Sequence, residues 1–299
     1  MKNKDLQIRD PFVFPVQEKQ LYYLFGSTDK NIWGEGTGFD LYTSRDLEEW
    51  EGPFPAFRPD ENFFAKRNFW APEVHSYKGS FYMLATFRRT DNELLGTAIL
   101  AADRVEGPYL PHSSGPVTPA EWACLDGTLH VDAVGEPWMV FCHEWTQTGD
   151  GEICAMRLNP DLRGAAGEPV RLFSASQAPW TERLASKSTP ERAVYVTDGP
   201  FLHRDEEGRL LMLWASFSGN RYAQGVAVSP GGGIMGPWVH QPEPLYRENG
   251  GHGMLFRTFG GELMLALHAP NRTPEERPLF LPVAEGSGGG LSVRLLREG

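Results

Sequence analysis

The chain has 299 residues, enough for one large β domain or two small ones. Its 39 acidic residues outnumber 28 basic ones, and a net charge of −11 argues against nucleic acid or an anionic membrane as partner. The 33 glycines and 24 prolines suit many short strands joined by turns, and no long stretch carries the apolar period of a helix. The one helical reading is residues 181–188, about two turns at most.

In chain order, one phrase recurs five times: a polar head, a strand, a Gly turn and an aromatic-rich strand. The first copy is Asp10-Pro11-Phe12-Val13-Phe14, answered by Leu21-Tyr22-Tyr23-Leu24-Phe25. A loop containing Trp33 and a third strand over 39–44 follow. The second copy is Trp70-Ala71-Pro72-Glu73, answered by Phe81-Tyr82-Met83-Leu84, with a third strand over 97–101. The third is Leu125-Asp126-Gly127, then Trp138-Met139-Val140-Phe141 and a strand over 153–158. The fourth is Thr197-Asp198-Gly199-Pro200, then Leu210-Leu211-Met212-Leu213-Trp214 and a strand over 225–228. The fifth is Gly251-His252-Gly253, then Leu263-Met264-Leu265-Ala266-Leu267. Strands over 279–283 and 291–295 complete it, with the glycine tract 286–290 as a turn between them. The Glu-Gly-Pro triplets at Glu51 and Glu106 read as turn punctuation.

Five units spaced about 50–70 residues apart indicate a radial repeat. A lone four-stranded sheet leaves a face and its edges open, and packing such sheets around an axis buries the faces. The expected fold is all-β, a single five-bladed β-propeller over residues 1–299.

In a propeller the heads of the innermost strands meet at one mouth of the central channel. Asp10, Glu73, Asp126, Asp198 and His252 form the expected ring. Carboxylates crowded together repel, so one stays protonated beside an ionised neighbour. Glycosidic bond hydrolysis needs such a donor and such an acceptor. The second strands return to the same mouth, which adds Arg88, His143, Glu144 and Trp145. Glu144 is the carboxylate at such an end. Trp33, Trp70 and Trp145 offer stacking faces for a sugar. Glu73, Arg88, His143 and His252 join them as candidate substrate-binding residues.

These residues resemble family 43 glycoside hydrolases. The likeness rests on Arg9-Asp10-Pro11, Trp70-Ala71-Pro72-Glu73, the Asp126 head, the acidic-Gly-Pro of the fourth unit, and the turn Ser44-Arg45-Asp46-Leu47-Glu48-Glu49-Trp50. It covers nearly the whole chain. The resemblance implies a five-bladed propeller and inverting hydrolysis of arabinose- or xylose-containing glycans. It implies Asp10 as the base and Asp126 as the carboxylate that tunes the acid. The family's acid is the Glu of Glu-Gly-Pro, and that position here is Asp198, about one methylene shorter. The donor is therefore open between Asp198, by resemblance, and Glu144, by strand topology, and reach favours Glu144.

The expected function is hydrolysis of short arabinosyl- or xylosyl-containing oligosaccharides. A propeller glycosidase or phosphorylase of another family is the alternative, and a phosphorylase would gather basic residues such as Arg88 and Arg89 at the mouth. A non-catalytic carbohydrate-binding propeller would show aromatics there without paired carboxylates. No cofactor or metal ligand set is expected. A divalent cation in the channel is compatible with the ring, but it needs several oxygen ligands that His252 alone does not supply. Three cysteines at no metal spacing point to a reduced compartment. The polar opening Met1-Lys2-Asn3-Lys4-Asp5-Leu6 shows no leader or span, which predicts a cytoplasmic protein.

Overall fold

In the computed structural model, which describes residues 1–185 and 193–294, five four-stranded antiparallel sheets follow one another along the chain. Blade one is β1 (Arg9–Val16), β2 (Leu21–Ser27), β3 (Phe39–Ser44) and β4 (Glu51–Phe57). Blade two is β5 (Ala65–Tyr77), β6 (Ser80–Arg89), β7 (Leu95–Ala102) and β8 (Leu110–Pro116). Blade three is β9 (Cys124–Val131), β10 (Pro137–His143), β11 (Glu152–Arg157) and β12 (Val170–Ser174). A small hairpin, β13 (Leu184–Ala185) with β14 (Ala193–Val194), precedes blade four. Blade four is β15 (Asp198–Arg204), β16 (Leu210–Ser218), β17 (Arg221–Ser229) and β18 (Val239–His240). Blade five is β19 (Gly251–Arg257), β20 (Leu263–Ala269), β21 (Arg277–Glu285) and β22 (Leu291–Val293). In every blade the strands pair in chain order, so the expected five-bladed β-propeller is the observed fold.

The unbroken apolar runs of the second strands follow from burial on both faces. In β16, Leu211 and Leu213 pack toward blade five, while Leu210, Met212 and Trp214 pack toward blade three. In β10, Met139 and Phe141 face blade two, and Val140 and Cys142 face blade four. The two-residue period of a strand thus delivers alternate side chains to two separate cores. Gly225 on β17 shows how tightly these cores close. A Cβ there would stand 2.0 Å from the Trp180 ring. Cys124, Cys142 and Cys154 are all buried free thiols.

Two strand and helix expectations touch residues outside the described ones. Residues 181–185 include strand β13 rather than a helical turn, and 186–188 lie outside the described residues. The last strand ends at Val293, and Leu295 is likewise outside them. Among the described residues no helix is long and apolar enough to cross a membrane.

The ring closes between blades one and five without a shared strand among the described residues. Side chains and a few backbone bonds join the two. Trp50 stacks on Phe280 at 5.8 Å, Ile8 N–H donates to Glu276 O at 3.4 Å, and Arg277 Nε donates to Lys4 O at 2.7 Å. At the centre of this seam Glu276 is fully buried. Its Oε1 accepts from Arg9 Nη1 at 2.9 Å and from Thr273 Oγ1 at 2.6 Å. Removing one partner of a buried ion pair strands the other charge. Glu276→Ala is therefore expected to lower unfolding stability by about 3–5 kcal/mol. Arg9→Met combined with Glu276→Ala should recover much of that loss. Urea unfolding of the three variants measures both, and equal losses in the single and double variants would contradict this account of the seam.

Candidate active site

Each innermost strand carries the same irregularity, near its start in four blades and in mid-strand in β5. Arg9 pairs with Ser27 and Phe12 with Phe25, so two residues of β1 oppose the single Gly26 of β2. The same two-against-one pattern falls at Trp70/Glu73, Leu125/Thr128, Asp198/Phe201 and Gly251/Met254. These are β-bulges, which bend a strand and re-aim its side chains. The first extra residue is left-handed every time: Asp10 (φ 53°), Ala71 (46°), Asp126 (57°), Gly199 (52°) and His252 (52°). Asp and His tolerate that conformation better than most side chains. At Gly199 a glycine is required twice over, because a Cβ would also stand 2.7 Å from the His252 ring.

A bulge takes its backbone N–H out of the ladder, and a buried N–H needs an acceptor. Four bulges find it on the preceding blade. Ala71 N–H donates to Ser27 Oγ (2.8 Å), Asp126 N–H to Thr86 Oγ1 (2.7 Å) and Gly199 N–H to Asp126 Oδ2 (3.0 Å). Asp10 N–H crosses the closing seam to His268 Nδ1 (3.2 Å).

This ring corrects the expected one at two blades. The structural counterparts of Asp10 are Ala71 and Gly199, not Glu73 and Asp198. Asp198 stands one residue earlier, toward the mouth, in the place Arg9 occupies in blade one. Glu73 stands two residues later, down the channel in the place of Phe12.

The mouth holds a cavity of about 500 Å³. Asp10, Asp126, Glu144, Asp198 and His252 all line it. His252 Nδ1 lies 3.2 Å from Asp10 Oδ1 and 3.7 Å from Asp126 Oδ2. Ser27 Oγ donates to Asp10 Oδ2 at 2.6 Å, and Tyr222 Oη donates to Asp198 Oδ2 at 3.0 Å.

The carboxylates divide into two states. Burial alone would raise the Asp10 pKa, but the charges of His252 and Arg9 and the Ser27 hydroxyl outweigh it and hold Asp10 at about 2. Burial pushes Asp126 up to about 7; His252 opposes the rise, and the charges of Asp198 and Asp10 add to it. Burial likewise pushes Asp198 up to about 6, against His252 and the Tyr222 hydroxyl. Burial works against a charge on His252, yet its three carboxylate neighbours raise its pKa overall. Glu144 is raised by burial, with the Thr146 hydroxyl and the Arg88 charge pulling the other way.

Trp33, Trp70 and Trp145 line the cavity. Trp70 is braced by a hydrogen bond from Nε1 to Ile32 O at 2.5 Å, and Trp33 stands edge-on to it at 5.1 Å. Trp33 is 59 % exposed, so its surface is open to a ligand. Glu144 and Trp145 lie where β10 ends and a short helix, α1 (Trp145–Thr148), begins.

Three expected substrate-binding residues are not in the cavity wall. Glu73 is buried below the ring and pairs with His75 at 3.0 Å. Arg88 is tied to Asn68 Oδ1 (2.7 Å) and Glu93 O (2.6 Å). His143 stacks on Trp122 at 4.1 Å and binds Glu152 and Gln147, which makes it a brace for α1. Phe217, at the end of second strand β16 as the strand-end reading expects, lines the cavity, whereas sequence reasoning missed Arg9, Tyr222, Asn271 and Thr273, which line it too. Arg9 adjoins Asp10, and Asn271 follows the end of β20, so strand-end logic carried one step further reaches both. Tyr222 on the third strand β17 had no such signal.

Among the described residues no three His, Cys, Asp or Glu side chains are grouped to hold a metal ion. The His252 Nδ1 faces two carboxylates instead.

The sequence profile of Glycosyl hydrolases family 43 matches residues 5–283. Among solved structures, an endo-arabinase from Bacteroides thetaiotaomicron VPI-5482 is 39% identical, with a TM-score of 0.89 over 97% of this chain and 99% of that one. A thermostable family-43 glycoside hydrolase is 23% identical with a TM-score of 0.81, over 97% and 93% of the two chains. An alpha-L-arabinofuranosidase from Lactobacillus brevis is 19% identical with a TM-score of 0.72, over 98% and 97%. These two more distant structures share the fold. No curated protein matches the chain. With a family profile spanning nearly its whole length and a close relative of the same architecture, this propeller belongs to glycoside hydrolase family 43.

Proposed function

We propose that this glycosidase cleaves arabinofuranosyl linkages in oligosaccharides with inversion, using Asp10 as the base and Asp198 as the acid. One observation carries the reading. Within a single cavity Asp10 is held ionised while the adjoining pair Asp126 and Asp198 is pushed toward the protonated form. Asp10 takes a proton from water as that water attacks the anomeric carbon. Asp198 gives a proton to the leaving oxygen, and burial together with the charge of Asp10 keeps it protonated. The likeness to the endo-arabinase supports arabinose over xylose. Among the described residues the one guanidinium in the cavity wall, Arg9, is already paired with Glu276, which supports water over phosphate as the acceptor.

Glu144 as the donor is a second reading. It is favoured by burial that raises it in the cavity wall, and by a bond of only one oxygen, Oε2, to the Thr146 hydroxyl.

Asp10→Asn is expected to lower kcat by about 10²–10⁴-fold without loss of fold. A near-normal kcat in a folded variant would remove Asp10 from the chemistry. The acid must be protonated, so kcat/KM should fall as pH rises through about 6 to 7, the apparent values of the Asp198–Asp126 pair. The base stays ionised down to about 2, so the acid side should show little loss until pH approaches that value.

Asp198→Asn should cripple hydrolysis of natural arabinosides, spare dinitrophenyl arabinofuranoside, and erase the basic limb, because a good leaving group needs no proton. If Glu144→Gln gives that pattern instead, Glu144 is the donor. NMR of the first-formed sugar should show the inverted anomer, and preferential turnover of xylosides would overturn the choice of sugar.

A further inference from the structure

His268 sits at the end of β20, fully buried, and no step of the proposed reaction uses it. It occupies the position that Ser27 and Thr86 hold in blades one and two, opposite the bulge. In those blades a hydroxyl is enough to accept a bulge N–H from the next blade. Blade five uses an imidazole, which has a second nitrogen and a longer reach.

The hydrogen bonds fix the tautomer. Asp10 N–H donates to Nδ1 at 3.2 Å, so Nδ1 carries a lone pair. The ring proton is then on Nε2, which faces Asn271 Oδ1 at 3.4 Å. Burial, reinforced by the Arg9 charge, holds the His268 pKa at about 3, so the ring stays neutral while the enzyme works. The orientation of the Asn271 amide follows from that proton. Its oxygen turns inward to His268, and its NH₂ is left for the cavity that Asn271 lines. The same imidazole stacks on Tyr222 at 5.7 Å and 20°, and Tyr222 holds Asp198.

We propose that His268 is a positioning residue with two separable duties: it fixes the backbone of the base Asp10, and it aims the Asn271 NH₂ into the cavity as a donor to a sugar oxygen. The proposal rests on the assignment of Asp10 and on a sugar in this cavity. Asn271 thereby becomes a specificity residue that reads an acceptor oxygen, a hydroxyl or the ring oxygen, on the bound glycone. A substrate lacking that oxygen would leave the NH₂ unpaired.

Two conservative substitutions split the duties. In His268→Asn the amide oxygen can stand where Nδ1 stood, keeping the bond to Asp10 N–H and losing Asn271. In His268→Gln the longer side chain reaches the Nε2 position and loses Asp10. On an aryl arabinofuranoside, His268→Asn should raise KM roughly tenfold with kcat little changed. His268→Gln should lower kcat roughly 10- to 100-fold through a misplaced base. Asn271→Asp keeps an acceptor for Nε2–H but shows the cavity an oxygen, and should raise KM as His268→Asn does.

Thermal unfolding is run alongside. Variants that lose only melting temperature, with kcat and KM per folded site unchanged, would overturn the proposal. A direct readout needs no substrate. Nitrogen NMR of the histidine-labelled wild-type enzyme should show His268 protonated at Nε2 and bare at Nδ1 from pH 5 to 8, and a proton on Nδ1 would overturn the proposal. If the wild type cleaves no arabinoside, the choice of sugar fails, and the NMR result still decides this one.

Discussion

A backbone N–H pulled out of a β ladder and buried must find an acceptor, at a cost of about 1–3 kcal/mol if it does not. That requirement organises this molecule. Each bulge lifts one residue toward the channel mouth, and four of the freed N–H groups are answered from the neighbouring blade. The bond that satisfies the backbone therefore also sets one blade against the next. Ser27 shows the economy of the arrangement. Its hydroxyl accepts from Ala71 N–H and donates to the Asp10 carboxylate, so one side chain joins two blades and orients the proposed base.

Three of the same five positions carry ionisable side chains, and Asp198 stands next to a fourth. A left-handed residue is costly for most side chains, and Asp, Asn and His bear it best. Asp10, Asp126 and His252 are of the types the backbone accepts there and of the types that exchange protons. Ala71 adopts the conformation with no side chain to aim, held by its bond to Ser27. Four carboxyl groups then share one cavity with two cations, His252 and Arg9. The cations sit nearest Asp10 and hold it ionised, and the remaining repulsion gathers on Asp126 and Asp198. That unequal sharing leaves Asp126 and Asp198 as the carboxyls that hold a proton more readily than Asp10.

The fold was legible in the sequence because blades repeat. The apolar run of residues 210–214 has one explanation in each unit, a strand buried on both faces. The site was legible less evenly. Asp10, Asp126 and His252 were found because chemistry and backbone position coincide there. Glu73 and Asp198 were aligned with them by acidity, whereas the bulge register aligns Ala71 and Gly199. A one- or two-residue offset decides whether a side chain faces the cavity or the channel below, and residue type alone does not carry it. Arg88 and His143 stand at strand ends as expected, but local partners hold their side chains aside. Tyr222 reaches the site through the length of its side chain from a third strand, a distance that only the folded chain reveals.

The seam between the first and last blades ties activity to the order of synthesis. Asp10 belongs to the first blade to be made, yet its N–H acceptor is His268, its cationic neighbour is His252, and the anchor of Arg9 is Glu276. All three belong to the final blade or its loop. A nascent chain carrying four finished blades would hold every proposed acid and base side chain and still lack the geometry of the base. The geometry of the proposed base is therefore complete only once the last blade has docked against the first.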